Sequence, residues 1–163
     1  MKVRLAANRD LDEIMRIYDT ARRTMRASGN HSQWTNGYPK REMIEDDITR
    51  RVSYVIVDQD DVPHAVFMFA VEDDPTYALI EDGRWLDDEP YGVIHRVASD
   101  GQMRGVLPMA IDYCSNVIGS IRIDTHEDNV IMHHVLGKKG FERCGTVYCQ
   151  DGTPRVAYQL RVQ

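Results

Sequence analysis

No stretch of this chain approaches the roughly 20 consecutive apolar residues that a helix needs to span a bilayer, so no membrane partner is expected. The opening Met1-Lys2-Val3-Arg4-Leu5 lacks the apolar run and small-residue cleavage site of a secretory leader. Cysteine is scarce. Cys114, Cys144 and Cys149 are odd in number and show no C-x-x-C spacing, which favours free thiols in a reducing cytoplasm over a disulfide framework or a zinc site. Basic residues are outnumbered, 20 against 26 acids for a formal charge of −6. Neutralising phosphates needs a basic face, so no nucleic-acid partner is expected. Internal repeats, low-complexity tracts and Pro/Gly/Ser linkers are also missing. At 163 residues, 42% hydrophobic and 28% charged, the chain reads as a single domain over 1–163 with one core.

What the chain does have is a regular succession of short elements. Residues 3–6 are expected to form a first strand. Asp10 with Glu13 reads as a helix start, because a carboxylate can accept the free N–H groups of a first turn. Leu11, Ile14, Met15, Tyr18, Ala21 and Met25 follow at helical spacing, and Gly29 is the stop. A second helix starts near Pro39, where a missing N–H costs nothing, with Met43, Ile44 and Ile48 as its buried side. Residues 53–57 and 63–71 read as strands around the turn Asp58-Gln-Asp-Asp61. The second is apolar on both faces, as befits a central strand covered on both sides.

Residues 72–90 carry eight acids, one arginine and two prolines around Tyr77 and Trp85. This is a long connection, and such connections are often functional. Strands at 91–98, 120–126, 141–149 and 155–162 and helices at 106–117 and 129–139 complete the chain, with Asp151-Gly152 turning the last hairpin. The order β-α-α-β-β-β-α-β-α-β-β predicts a mixed α/β sheet with helices on its faces.

Residues 91–110 hold the most chemistry. Gly101 and Gly105 lead directly into a helix, so several backbone N–H groups can converge on one anion beside Arg104, with the helix N-terminus adding positive partial charge. Pro108 suits the first turn but offers no N–H. Taken alone, the same residues also make a plain strand-to-helix turn.

This segment resembles the acyl-CoA-binding motif of the GNAT N-acetyltransferase superfamily, Gln/Arg-x-x-Gly-x-Gly/Ala after a strand. Gln102-Met-Arg-Gly105-Val-Leu107 supplies the Gln and the first Gly, with Leu107 in place of the small last residue. Ile121-Arg-Ile-Asp-Thr-His126-Glu-Asp-Asn129 is similar to the family's next strand and its Asn. Residues 129–141, ending Gly140-Phe141, are similar to its next helix. The resemblance implies a GNAT-like mixed, mostly antiparallel sheet with a splayed central strand pair, 91–98 against 120–126, and helices on both faces. It implies acetyl-CoA as acyl donor, no metal, and transfer of the acetyl group to a primary amine of a small-molecule or amino-acid-like acceptor. The other reading is a non-catalytic acyl-CoA-binding module. Homodimers are common in the family, and one is compatible with this chain.

By position, the resemblance assigns the pantetheine arm to the backbone of Val97, Ala98 and Ser99 and to the Asn129 side chain. It assigns the pyrophosphate to the amides of Gln102, Met103, Arg104, Gly105, Val106 and Leu107. A branched Leu107 where backbone must approach phosphate, together with Pro108, implies a weaker grip on the coenzyme.

Attack of an amine on a thioester needs an oxyanion donor, a route for the ammonium proton and an acid for the thiolate. A strand N–H near Val97 suits the first. His95, with an ordinary pKa of about 6.5, is the candidate for the second and shares a face with Tyr91, Val93 and Val97. A hydrogen-bonded core histidine is its alternative. Tyr91, with an ordinary pKa of about 10, suits relay or positioning. The family's tyrosine seven residues after the Asn is replaced here by Leu136; His134 or its neighbour His133 could protonate the thiolate, directly or through water, or the two could simply be one exposed and one packed side chain. His126, His133 and His134 contain no i, i+4 pair, so a metal is not expected. Trp34 and Tyr38, between the first two helices, could wall an acceptor pocket or pack a loop on the core. Glu72, Asp73, Asp74, Glu81 and Asp82 could draw a cationic amine or form a solvated run.

Overall fold

Among the described residues, 1–162, the elements follow the expected order: β1 (Lys2–Leu5), α1 (Leu11–Ala27), α2 (Arg41–Thr49), β2 (Ser53–Val57), β3 (Pro63–Val71), β4 (Gly92–Ser99), α3 (Val106–Ser115), β5 (Ser120–Thr125), α4 (Val130–Lys138), β6 (Glu142–Tyr148) and β7 (Pro154–Arg161). In this computed structural model the strands form one mostly antiparallel sheet ordered β1-β2-β3-β4-β5-β7-β6, with β4 and β5 parallel. The backbone gathers into two compact units, Met1–Phe69 with His95–Tyr113 and Ala70–Ile94 with Cys114–Gln163.

In the first unit the helical stripe of α1 buries Leu11, Ile14, Ile17, Tyr18 and Ala21. Together with Ile44 and Ile48 of α2 they pack on Val55, Val57, Val66 and Ala98. Successive strand residues face opposite ways, so Tyr54 and Phe67 lie on the other side of the same strands. There Tyr54 stacks on Phe67 with centroids 5.4 Å apart and meets Tyr113 of α3 at 5.3 Å. Helices therefore cover both faces of these strands. β3 is buried from Pro63 to Ala70, as its apolar pattern predicts for a central strand.

Asp10 departs from the expected role. Its side chain makes no cap to α1 and turns back instead, accepting from Arg4 Nη1 and Nη2 at 2.8 and 3.0 Å and from the Ala7 N–H at 2.8 Å. The forked pair with Arg4 and the Ala7 N–H take up both oxygens of the carboxylate that would otherwise cap α1. One 3-10 turn, Asn8–Asp10, precedes the helix.

In the second unit β5, β7 and β6 form the ladder over a core that includes Ile121, Ile123, Leu136, Phe141 and Val156. The acidic connection 72–90 is not a loose run but a strap tied to this ladder. The Tyr77 hydroxyl donates to Asp124 at 2.6 Å, Trp85 Nε1 to the Tyr77 carbonyl at 2.9 Å, and the Leu86 N–H to Gln159 Oε1 at 2.9 Å. The Arg122 guanidinium lies over the rings of Trp85 and Tyr91, at 4.2 and 4.0 Å, and donates to the Asp87 carbonyl. Glu81 bridges Thr146 on β6. The two backbones come so close that a Cβ on Gly83 would run into the carbonyl of Cys144.

All three cysteines are free, Cys114 and Cys144 buried and Cys149 half-buried, and burial pushes each thiol above its ordinary pKa. No helix among the described residues is long and apolar enough to cross a membrane.

Candidate active site

The parallel pair is short. β4 and β5 share the rungs Gly92↔Ile121, Val93↔Arg122 and Ile94↔Ile123, and β4 then runs on through residues 95–99. Just past the last rung, Arg96 adopts a left-handed φ of 55°. A non-glycine residue there stores strain of order 1 kcal/mol or more, so the surroundings must hold it. The Tyr18 hydroxyl donates to the Arg96 carbonyl at 2.7 Å, and Arg96 Nε and Nη2 donate to Asp47 at 3.0 and 2.8 Å. The strand is thus broken at a defined residue and pinned from α1 and α2. His95, Val97 and Ser99 are half-buried on either side of the break, and Ala98 is in the core.

The loop that follows folds on its own side chains. Ser99 Oγ accepts from the Gly101 N–H at 3.1 Å, and Asp100 Oδ1 from the Gln102 N–H at 2.9 Å. Gly105 has φ 72°, and the space where a side chain would project is open for 4 Å around. Conformation, not crowding, demands glycine there. The Met109 N–H closes the first helical bond of α3 onto the Gly105 carbonyl at 3.1 Å. First-turn N–H groups before it have no intrahelical acceptor. Leu107 is buried, so its branched side chain packs inward and leaves the turn open. Arg104 stands exposed beside the turn.

A cluster absent from the sequence reading holds this loop from behind. Asp100, with no exposed side-chain surface, accepts on Oδ2 from His64 Nδ1 at 2.8 Å and Arg16 Nη2 at 3.3 Å. His64 Nε2 lies 2.8 Å from Asp58 Oδ2. Ionised carboxylates only accept, so these two partners favour the imidazolium form, with hydrogen on both ring nitrogens. Burial opposes that charge, but the two carboxylates outweigh it and raise the His64 pKa.

Trp34 is packed in the α1–α2 core, edge-on to Tyr18 at 5.5 Å, with Tyr38 half-buried at 6.4 Å. The Tyr38 hydroxyl lies 3.5 Å from Arg96 Nη1.

In the second unit Asn129 caps α4, its Oδ1 accepting from the Met132 N–H at 3.2 Å. The buried Tyr91 hydroxyl accepts from the Asp74 N–H at 2.8 Å. His134 is exposed and Leu136 fully buried. His133 Nδ1 lies 2.6 Å from the Tyr158 hydroxyl, a partner 25 residues away that strand periodicity alone does not single out.

No protein-family sequence model matches the chain, and no curated protein matches it by sequence. Solved structures do. A GNAT-family acetyltransferase from Streptococcus agalactiae is 32% identical, with 99% of this chain and 95% of that one covered at a TM-score of 0.90. GNAT-family acetyltransferases from Listeria monocytogenes and Bacillus cereus are each 19% identical over 99% of this chain, covering 94% and 97% of theirs, at TM-scores of 0.73 and 0.60. Those two are likenesses of fold. The first joins identity to near-complete superposition. The chain belongs to the GNAT family of acetyltransferases.

Proposed function

We propose that the protein is an acetyl-CoA-dependent N-acetyltransferase that moves an acetyl group to a primary amine of a small-molecule or amino-acid-like acceptor. The observation that carries this reading is the turn at Gly105. It has a left-handed φ and open space in front, and it leads straight into the first turn of α3. Backbone N–H groups at a helix start suit a diphosphate, and Arg104 adds a cation beside them.

In this reading the amides of Gln102, Met103, Arg104, Gly105, Val106 and Leu107 hold the diphosphate of the donor substrate. The backbone of Val97, Ala98 and Ser99 takes the pantetheine arm along β4, and Asn129 serves the same arm. A strand N–H at Val97 is the oxyanion donor, next to the break at Arg96. His95 accepts the ammonium proton, Tyr91 positions, His134 stands by the thiolate, and Trp34 with Tyr38 supports the acceptor side. No metal takes part.

A second reading, an acyl-CoA-binding module without turnover, is favoured by one observation: Leu136, where the resemblance places a proton-donating tyrosine, is fully buried. Thermal shift with acetyl-CoA tests both. An unchanged melting point far above typical Kd values defeats them together. Thiol release across a panel of amines separates them. A pH dependence of turnover that survives His95→Ala unchanged removes His95 from the mechanism.

A further inference from the structure

We propose that His64, acting through Asp100, is a positioning residue that ties coenzyme affinity to pH: acetyl-CoA binds more tightly when the His64 ring carries its second proton than when it does not. The inference deepens the acetyl-CoA reading and rests on it.

The diphosphate loop is built over a buried carboxylate. Asp100 has no exposed side-chain surface, its Oδ1 accepts from the Gln102 N–H at 2.9 Å, and its own N–H donates to the His64 carbonyl at 3.0 Å. A negative charge thus stands one hydrogen bond behind the amides that would meet a diphosphate. Like charges repel, and more strongly where water is excluded. Such a loop holds an anion best when its own carboxylate is neutralised from the other side.

That neutralisation comes from two cations on Asp100 Oδ2, His64 Nδ1 at 2.8 Å and Arg16 Nη2 at 3.3 Å. Arg16 is 40% exposed and also pairs with Glu13 at 2.9 Å, so its charge is shared and screened by water. His64, with 11% of its side chain exposed, is the closer and drier of the two. Its Nε2 meets Asp58 Oδ2 at 2.8 Å, and Asp58 Oδ1 accepts from the Asp60 and Val62 N–H groups at 2.8 and 3.1 Å. The charged groups facing His64 are therefore Asp58 from the turn before β3 and Asp100 from the loop after β4, with Arg16 and Glu13 of α1 behind Asp100.

A neutral imidazole has one N–H for these two carboxylates, so one of the two short bonds must be given up. Asp58, at 32% exposure, can turn to water, whereas Asp100 cannot and keeps its partner. The loop then retains its shape while the cluster behind it becomes one charge more negative. In the free protein burial opposes the His64 charge but the bonds to Asp58 and Asp100 prevail and raise its pKa, so the loss of affinity falls on the alkaline side of about 6.5. Coupling of this kind is reciprocal. Bound acetyl-CoA must move the His64 titration to higher pH by the same factor.

The test is calorimetric titration of the full chain with acetyl-CoA from pH 6.5 to 9, wild type beside His64→Gln. The coenzyme's phosphate monoester titrates at about pH 6 for both proteins, so the difference between the two profiles belongs to His64. Wild-type affinity is expected to fall about fivefold more across this range than that of the glutamine variant, which starts at the weaker value. Should the variant fail to fold, the His64 ring-proton titration of the wild type, followed by NMR with and without saturating acetyl-CoA, decides. A midpoint moved to higher pH supports the coupling and an unmoved one overturns it. Parallel affinity profiles in the two proteins also overturn it and leave the acetyl-CoA reading standing. Absence of acetyl-CoA binding by the unaltered protein at any pH overturns both.

Discussion

Asp47 holds Arg96 in a two-pronged ion pair, with side-chain exposures of only 4% and 12%, and the residue it holds is the one left-handed position in β4. Removing one partner of a buried pair strands the other charge, which costs about 3–5 kcal/mol. Asp47→Ala is therefore expected to lower the melting temperature by about 10 °C. Asp47→Asn, which keeps an acceptor, should lose less. A melting point within 2 °C of wild type for the alanine variant would show that the break in β4 is held by other means.

The His64 cluster gives stability a pH dependence. The His64 pKa is raised, burial opposing the charge but the bonds to Asp58 and Asp100 prevailing. The bond from His64 lowers Asp58, and Asp100 is lowered too, where burial is outweighed by the Gln102 N–H, His64 and Arg16. A raised histidine contributes fully below its unfolded pKa of about 6.5 and loses that contribution as pH rises through the folded value. The lowered aspartates contribute above about 3.9 and lose it as pH falls through their folded values. All three act together between about pH 4 and 6.5. Melting curves from pH 6 to 9 should fall more steeply for the wild type than for His64→Gln; parallel curves would refute the clamp.

Gly83 faces the carbonyl of Cys144 where a Cβ has no room, at φ 159°. Gly83→Ala must push the strap off β6, and a loss of about 2 kcal/mol or more is expected, read as a lower unfolding midpoint in urea. An unchanged midpoint would mean that the strap gives way freely.

Gly105→Val tests the turn itself. The valine has open space around it, so the cost to the apo protein is backbone strain of about 1–2 kcal/mol. The larger effect is expected on acetyl-CoA, since the added side chain stands where the diphosphate must approach. Calorimetry should show affinity down at least tenfold. Equal affinities would move the diphosphate away from this loop.

Much of the fold was legible because it depends on local periodicity. The stripe from Leu11 to Ala21, the doubly apolar 63–71 and the turn at Gly105 need only neighbours in sequence to declare themselves. What stayed hidden depends on distant pairs. Asp10 has the form of a helix cap until Arg4 on the adjacent strand claims it. His64 is one more polar residue in an apolar run until chain closure brings Asp100 to it from 36 residues away. The charge count of 72–90 suggests a solvated run, and Glu72, Asp73, Glu81 and Asp82 are indeed exposed, yet Tyr77, Trp85 and Leu86 tie the segment down through Asp124, Arg122 and Gln159. The same holds for Tyr158, whose partner His133 lies on a helix between two strands.

The buried sulfurs carry a practical bonus for whoever assays this protein. Cys114 and Cys144 are out of reach of a chromogenic disulfide reagent while the chain is folded, and only Cys149 is partly accessible. Colour developing during turnover would then report the liberated carrier, with at most one slow equivalent from the catalyst as background.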